Sequence, residues 1–458
     1  MTETDRVVTN FALEGNYAPV AEEITAYDLP VIGEIPVELE GRYLRNGPNP
    51  LHAPDPANHH WFVGDGMVHG VRLRGGKAEW YRNRYVGSTR VASHRGQPDI
   101  PGRNWNGGEG GPNTNVGGFA GTTWATVESG SPPVELTYEL DTVCRNDFFG
   151  TLPNGFTAHP KIDPDTGEMH AMCYAWPSLV DHVQYVVVAP DGRVSKVVDV
   201  PVPGMIMLHD MALTQRYAVV YDMPVTVDFE LAMNGGSFPF LWNPDYAARL
   251  GLLPRDGGAD DIIWVDVPQS YVFHPMNAYD APDGTVVIDQ CVYDRMFEKP
   301  FFGVINDYLA RLERWVIDPV ARTCSTSVID STPTEFPRHR GSLTSKPYRY
   351  GYCASPGKDP HWPTFKYDLH TGERWTFDHG SGRGGGEPVF VGRPGSSVED
   401  DGWLMTYVHD ANTESTELVI LDAQDFSRRE VARVQLPQRV PYGFHGNWVS
   451  DRAVPPSV

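Results

Sequence analysis

Cysteine is scarce in this chain of 458 residues. There are five thiols, Cys144, Cys173, Cys291, Cys324 and Cys353, scattered without any CxxC spacing. That odd set argues against a disulfide framework and against a cysteine zinc site. Basic residues are also few, 37 Lys and Arg against 59 Asp and Glu, for a formal net charge of −22. Nucleic acid and anionic lipid both call for a basic face, so no nucleic-acid partner and no electrostatic grip on lipid are expected. No apolar run approaches the roughly 20 residues of a membrane span. The opening residues, "MTETDRVVTNFALEGNYAPV", lack the basic-then-apolar pattern of a secretory signal. The expectation is a soluble protein of the reducing cytoplasm. No P-loop occurs, and "GGEGG" and "GRGGGE" join no strand to a helix, so neither reads as a dinucleotide turn. No GxSxG elbow marks a nucleophilic serine. What remains is a small-molecule substrate that is neutral and apolar rather than phosphorylated.

Amphipathic helical periodicity is scarce too. In its place are β-rich runs broken by D-G, T-G, N-G and P-G turn signals, as in "AHPKIDPDTGEMHAMCYAW" and "HVQYVVVAPDGRVSKVVDVPV". Gly and Pro are spread along the chain rather than pooled in linkers. We therefore expect one all-β domain over residues 1–458. Propeller blades use about 40–50 residues each, so a chain of this length supplies a large propeller with insertions. Closing a ring also protects the edges of many short strands. Residues 1–35 read as an irregular arm. Residues 225–255 carry Phe238, Phe240 and Trp242 with little strand character, and 296–311 reads as a short helix. Both look like insertions that cap one face as a lid or tunnel wall.

There are 16 histidines, and most must be ordinary core or surface residues. His59, His60, His94, His361, His370 and His379 stand in polar or turn contexts and are read that way. His159 in "TAHPK", His209 in "MLHDM", His274 in "VFHPM" and His445 in "GFHGN" each sit on a short apolar or aromatic segment. Remote imidazoles of this kind suit convergence on one metal at a propeller axis, although each is also readable as a core histidine. Their separation rules out a local motif such as HExxH. Asp65 in "GDGM", between two glycines, reads as a tight-turn residue.

A resemblance sharpens this. "GRYLRNGPNP", "HHWFVGDGMVHG", "NTNV", "TAHPKIDPDTGEMH", "LHDMALTQRYAVVYDMP", "FHPMNAYD", "EFPRHRGS" and "EPVFVGRPGSSVEDDGWLMTYVHD" occur in one order over roughly residues 30–448. Together they resemble the carotenoid cleavage oxygenase family. The resemblance implies a seven-bladed β-propeller with a loop and helix cap over an iron-bearing axial face. It implies a single ferrous ion held by His159, His209, His274 and His445, with dioxygen as co-substrate and no organic cofactor. It places Glu128, Glu335 and Glu387 behind the histidines, where a partner on the second ring nitrogen fixes the tautomer. Thr114 of "NTNV" falls where some relatives crowd an open metal position.

The reaction the resemblance implies is cleavage of a carbon–carbon double bond by dioxygen into two carbonyl products. Relatives that act on phenolic stilbenes carry a lysine just before the first of the three glutamates. Here that position is Val127, which offers neither a donor nor a cation to a buried phenol. Val127 and the aromatic run Phe238, Phe240 and Trp242 suit a carotenoid or apocarotenoid polyene. Tyr43 and Tyr85 fall near the matching pocket segments, so cleavage of a phenolic stilbene or phenylpropanoid alkene stays as the alternative. No obligate protein partner is expected. Transient contact of the tunnel mouth with a membrane surface is left open, as are an isomerising enzyme and a non-catalytic propeller.

Overall fold

The computed structural model describes residues 10–104, 111–174, 178–299, 309–357, 360–426 and 430–456. Seven antiparallel sheets follow one another around a ring, with two short α-helices among the described residues. The ring is a seven-bladed β-propeller. Blades two to six each hold four strands in chain order. Their innermost strands are Asn115–Phe119, Lys161–Ile162, Ala212–Leu213, Tyr271–Asp280 and Glu335–His339.

The ends of the chain close the ring at two places. Strand Gly446–Ser450 pairs with Gly41–Pro48 and becomes the innermost strand of blade one. Strand Val31–Gly33 pairs with Glu430–Gln435 at the outer edge of blade seven. The blade hairpins rest on the turn chemistry visible in the sequence. In "PDGR" and "PDGT", Gly192 and Gly284 adopt φ of 83° and 91°, which side chains with a Cβ rarely take.

Burial follows radius. The blade-three strand Met169–Cys173 is buried at every position, whereas the outermost strand of that blade, Val194–Pro201, alternates half-buried with exposed up to buried Val200. Between blades, Trp315, Trp403, Leu312 and Leu404 are almost fully removed from solvent. Burying each leucine contributes roughly 1.5–3 kcal/mol. Blades one and two are also pinned by Arg42. It donates to Tyr138 O at 2.6 Å and Thr123 Oγ1 at 2.8 Å and lies over the Tyr138 ring.

Three expectations about segments change. The arm over 1–35 is not wholly irregular: besides Val31–Gly33, strand Thr25–Tyr27 extends blade one beside Lys77–Tyr85. The insertion over 225–255 is shorter than read. Val225–Val227 and Phe240–Trp242 form a two-stranded ribbon around the helix Phe229–Met233, but Arg249–Pro254 is a blade-four strand. Its alternating Leu250 and Leu252 are fully buried against the neighbouring strands, which is why it belongs to the blade. The helix expected over 296–311 falls mainly on 300–308, outside the described residues, and Arg311 already begins strand Arg311–Asp318.

Candidate metal centre and its cavity

One end of the innermost strands carries the site. His159, His209 and His445 lie just before the inner strands of blades three, four and one, and His274 lies within that of blade five. Strand Tyr271–Asp280 slips register on either side of Pro275. Proline has no N–H for the ladder, and a bulge re-aims neighbouring side chains, here turning His274 to the axis. The same device recurs in blade six, where the register slips between Glu335 and Arg338 around Pro337. Phe336, between them, takes a φ of 54°, an unusual conformation for an aromatic residue.

All four histidines are buried, and their ring nitrogens lie within 4.8 Å of one another. His159 and His445 bring their Nε2 atoms to 2.8 Å, His209 and His274 to 3.1 Å, and His274 and His445 to 3.2 Å. Behind them, His274 Nδ1 is 2.6 Å from Glu335 Oε2, and His445 Nδ1 is 3.0 Å from Glu387 Oε1. His209 Nδ1 is 2.8 Å from Glu128 Oε1, an ion-pair distance without good hydrogen-bond alignment. His159 Nδ1 is buried with no hydrogen-bond partner among the described residues.

These contacts test whether a cation fits. A ring nitrogen that donates Nδ1–H to a carboxylate leaves a lone pair on Nε2. Several such lone pairs facing each other at about 3 Å repel unless a cation lies among them. Burial, reinforced by His209, His445 and His274, holds His159 well below its ordinary value, so it stays neutral. Burial also lowers His445, against the pull of Glu387. For His274 burial acts downward as well, but the Glu335 carboxylate outweighs it and the value is raised. Neutral imidazoles backed by carboxylates are a donor set for a divalent transition metal. The residues fit a divalent transition-metal ion.

Each glutamate is itself held. Burial pushes Glu387 up, but Arg338, His445 and the Gly446 N–H bring it down to about 2. Arg338 Nε is 3.1 Å from Glu387 Oε1, and its guanidinium also donates to Gly446 O and Asn447 Oδ1. Glu335 accepts from the Phe336 N–H, and Glu128 accepts from the Tyr174 hydroxyl at 2.8 Å. Arg338 and Tyr174 were not singled out from the sequence, although both stand inside runs that were, "EFPRHRGS" and "TGEMHAMCYAW".

The centre opens into a cavity of about 570 Å³. Of the residues expected in the pocket, Val127, Phe238 and Phe240 line it, and Thr114 and Glu128 line it too. So do Trp61, Phe62, Phe273 and Phe444, none of which was anticipated. Thr114 donates its hydroxyl to Asn113, and its carbonyl accepts from the His445 N–H, which fixes it beside that ligand. His60, read as ordinary, is a buried support: it stacks on Phe238 at 4.2 Å and 13°.

Three residues expected in the pocket are elsewhere. Tyr43 is buried between blades one and seven, edge-on to Tyr407. Tyr85 packs with Val20, Met67 and Val91, its hydroxyl bonded to the Asn49 side chain. Trp242 lies two residues beyond Phe240 on the ribbon and packs on the main core, past the cavity wall.

Comparison with known proteins adds a consistent set of likenesses. The family model described as retinal pigment epithelial membrane protein matches residues 17–450. A carotenoid cleavage oxygenase of Mycobacterium tuberculosis is 42% identical over 487 aligned positions, covering 95% of this chain and 97% of its own. The carotenoid 9,10(9',10')-cleavage dioxygenase of Crocus sativus is 33% identical, covering 96% and 89%. Among solved structures, cobalt-substituted Synechocystis apocarotenoid oxygenase superposes with a TM-score of 0.84 at 29% identity, covering 94% and 97%. Pseudomonas brassicacearum lignostilbene dioxygenase superposes with a TM-score of 0.86 at 28% identity, covering 96% and 98%.

Proposed function

The chain belongs to the carotenoid cleavage oxygenase family, and from that membership we propose that it cleaves one double bond of an apocarotenoid or carotenoid. Dioxygen is the co-substrate, ferrous iron the metal, and two aldehyde or ketone fragments the products. The observation that carries the reading is the four-histidine centre opening into a cavity walled by Phe62, Phe238, Phe240, Phe273 and Phe444, with Val127 beside Glu128.

Ferrous iron held by His159, His209, His274 and His445 would supply the electrons that let dioxygen react with an alkene. The chain's own residues do the rest. Glu335 and Glu387 set the tautomers of His274 and His445, and Glu128 supports His209. Four neutral imidazoles leave the cation's charge uncompensated at the metal, and the three carboxylates balance it one residue further out. The aromatic wall excludes water and presents flat faces to a conjugated chain, limiting which double bond lies over the axis. Adding both oxygen atoms across the bond and breaking it transfers no net proton. The reaction therefore needs no general acid in the cavity.

The phenolic alternative keeps one support, the close likeness to the Pseudomonas brassicacearum lignostilbene dioxygenase structure. Against it, Tyr85, the proposed phenol contact, lies away from the cavity, and Val127 in the wall carries no charge. No helix among the described residues is long and apolar enough to cross a membrane.

The test offers the iron-loaded protein an apocarotenal and a 4-hydroxystilbene side by side under labelled dioxygen. Shorter polyene carbonyls carrying the label, without hydroxybenzaldehyde, are expected. Hydroxybenzaldehyde alone would transfer the enzyme to phenolic alkenes. Turnover of neither by iron-replete protein would refute both readings.

A further inference from the structure

The three carboxylates behind the histidines are not anchored alike. Glu387 Oε2 accepts from the Gly446 main-chain N–H at 2.9 Å, with Arg338 on its other oxygen. Glu335 accepts from the Phe336 main-chain N–H. Both are therefore tied to backbone that the blades hold rigid. Glu128 has no main-chain donor among the described residues. Its Oε1 faces His209, and its Oε2 accepts from the Tyr174 hydroxyl at 2.8 Å.

Tyr174 anchors its glutamate through a side chain that is itself part of the cavity wall, whereas Phe336, which also lines the cavity, holds Glu335 through its main chain. Its ring is 5% exposed and sits edge-on to Phe240 of the cap ribbon, with centroids 6.2 Å apart. Phe240 contacts Phe238, which stacks on His60. The cap, the cavity and one metal ligand are thus joined through Phe240, Tyr174, Glu128 and His209. His209 is also the ligand whose carboxylate contact is poorly aligned, so it has the most to gain from a small movement of Glu128.

We propose that Tyr174 is a positioning residue that couples occupancy of the cavity to the seating of His209 on the metal, through Glu128. An apolar molecule lying against Phe240 and Tyr174 restrains the tyrosine. Its hydroxyl then holds Glu128 in line with His209 Nδ1, and the metal site tightens. By linkage, a filled metal site tightens binding of that molecule by the same factor. The inference rests on the cavity being the substrate site.

Tyr174→Phe keeps the ring and removes only the hydroxyl. Cobalt serves as the metal, under anaerobic conditions, so that no turnover intrudes. Chelator-driven release of cobalt is timed with and without saturating apocarotenal, whose binding is followed separately by quenching of tryptophan fluorescence. In the unsubstituted protein the apocarotenal is expected to slow release severalfold. In Tyr174→Phe, release without ligand should be about tenfold faster, the lower end of what removing an outer partner costs. The slowing by apocarotenal should also disappear. Glu128→Gln should release cobalt faster as well, and the double variant no faster than Glu128→Gln alone, because both act through one carboxylate. Release from Tyr174→Phe at the unsubstituted rate, an undiminished effect of apocarotenal in it, or additive effects in the double variant would overturn the proposal. If neither apocarotenal nor trans-stilbene binds, the substrate reading and the coupling fail together. The ligand-free release rates then still decide whether Tyr174 positions His209.

Discussion

Glu387 gives the most quantitative test of how this centre is built. It is fully enclosed and sits against Arg338, His445 and the Gly446 N–H, which together outweigh burial and hold it at about 2. A fall from the ordinary 4.5 to about 2 is a preference of about 3 kcal/mol for the carboxylate in the folded state. Glu387→Gln keeps the shape and an acceptor for His445 but abolishes the charge. Because the folded value is depressed, this stability is fully present above about pH 5. It drains away as pH falls from the unfolded value towards the folded one, leaving about 1 kcal/mol near pH 3. Urea unfolding of the two metal-free proteins at pH 7 and pH 3 measures it. The difference between them should be about 3 kcal/mol at pH 7 and shrink to about 1 kcal/mol at pH 3, all other carboxylates being common to both. A difference below about 1 kcal/mol at pH 7, or one that stays constant down to pH 3, would refute the account of Glu387 as a carboxylate held by three donors.

Two further outcomes follow from the geometry. His274→Ala removes the ligand whose Nε2 contacts both His209 and His445, and should leave the protein without bound iron while circular dichroism keeps its β signature. Iron in normal proportion in that variant would remove His274 from the ligand set. Phe240→Ala deletes an aromatic wall residue but no metal contact, so iron content should hold while KM rises about tenfold for a lost contact of about 1.4 kcal/mol. Loss of iron with unchanged KM would reverse that assignment.

What could be read from the sequence followed the parts with a local signature. Hairpins announced themselves through turns such as Asp191–Gly192 and Asp283–Gly284, and the four histidines through their apolar flanks and the motifs around them. The pocket residues were harder, for a physical reason. A strand exposed on one face alternates in polarity, and the alternation says which side chains point where. Gly41–Pro48 is buried at all eight positions, and Tyr43 and Arg45, two apart, share one face of it, so nothing in the strand says that Tyr43 packs against the neighbouring blade while Arg45 reaches the cavity. Tyr85 lies with Tyr81 and Asn83 on the buried face of an alternating strand, and burial does not separate a side chain packed in the core from one that lines a cavity. Trp242 stands on the correct ribbon, but distance along a strand from a cavity is not written in polarity.

The axial arrangement explains why the site tolerates such long gaps in the chain. At corresponding ends of the seven inner strands, blades two to six present Thr114, His159, His209, His274 and Glu335. Blade seven supplies Glu387, and the C-terminal strand closing blade one supplies His445. Each blade thus contributes one group to the axis, and Glu128 is added from the loop that follows the second strand of blade two, Thr122–Thr126. The four histidines come from four blades and their carboxylate partners from three others: Glu335 in blade six contacts His274 in blade five, and Glu387 in blade seven contacts His445 in blade one. The second of these pairs, Glu387 with His445, spans the point at which the ring closes. The C-terminal strand of blade one, Gly446–Ser450, immediately follows His445, and its first N–H secures Glu387. The pairing that closes the propeller therefore also places His445 against Glu387, so a change that opens the Gly446–Ser450 pairing should cost metal binding as well as stability.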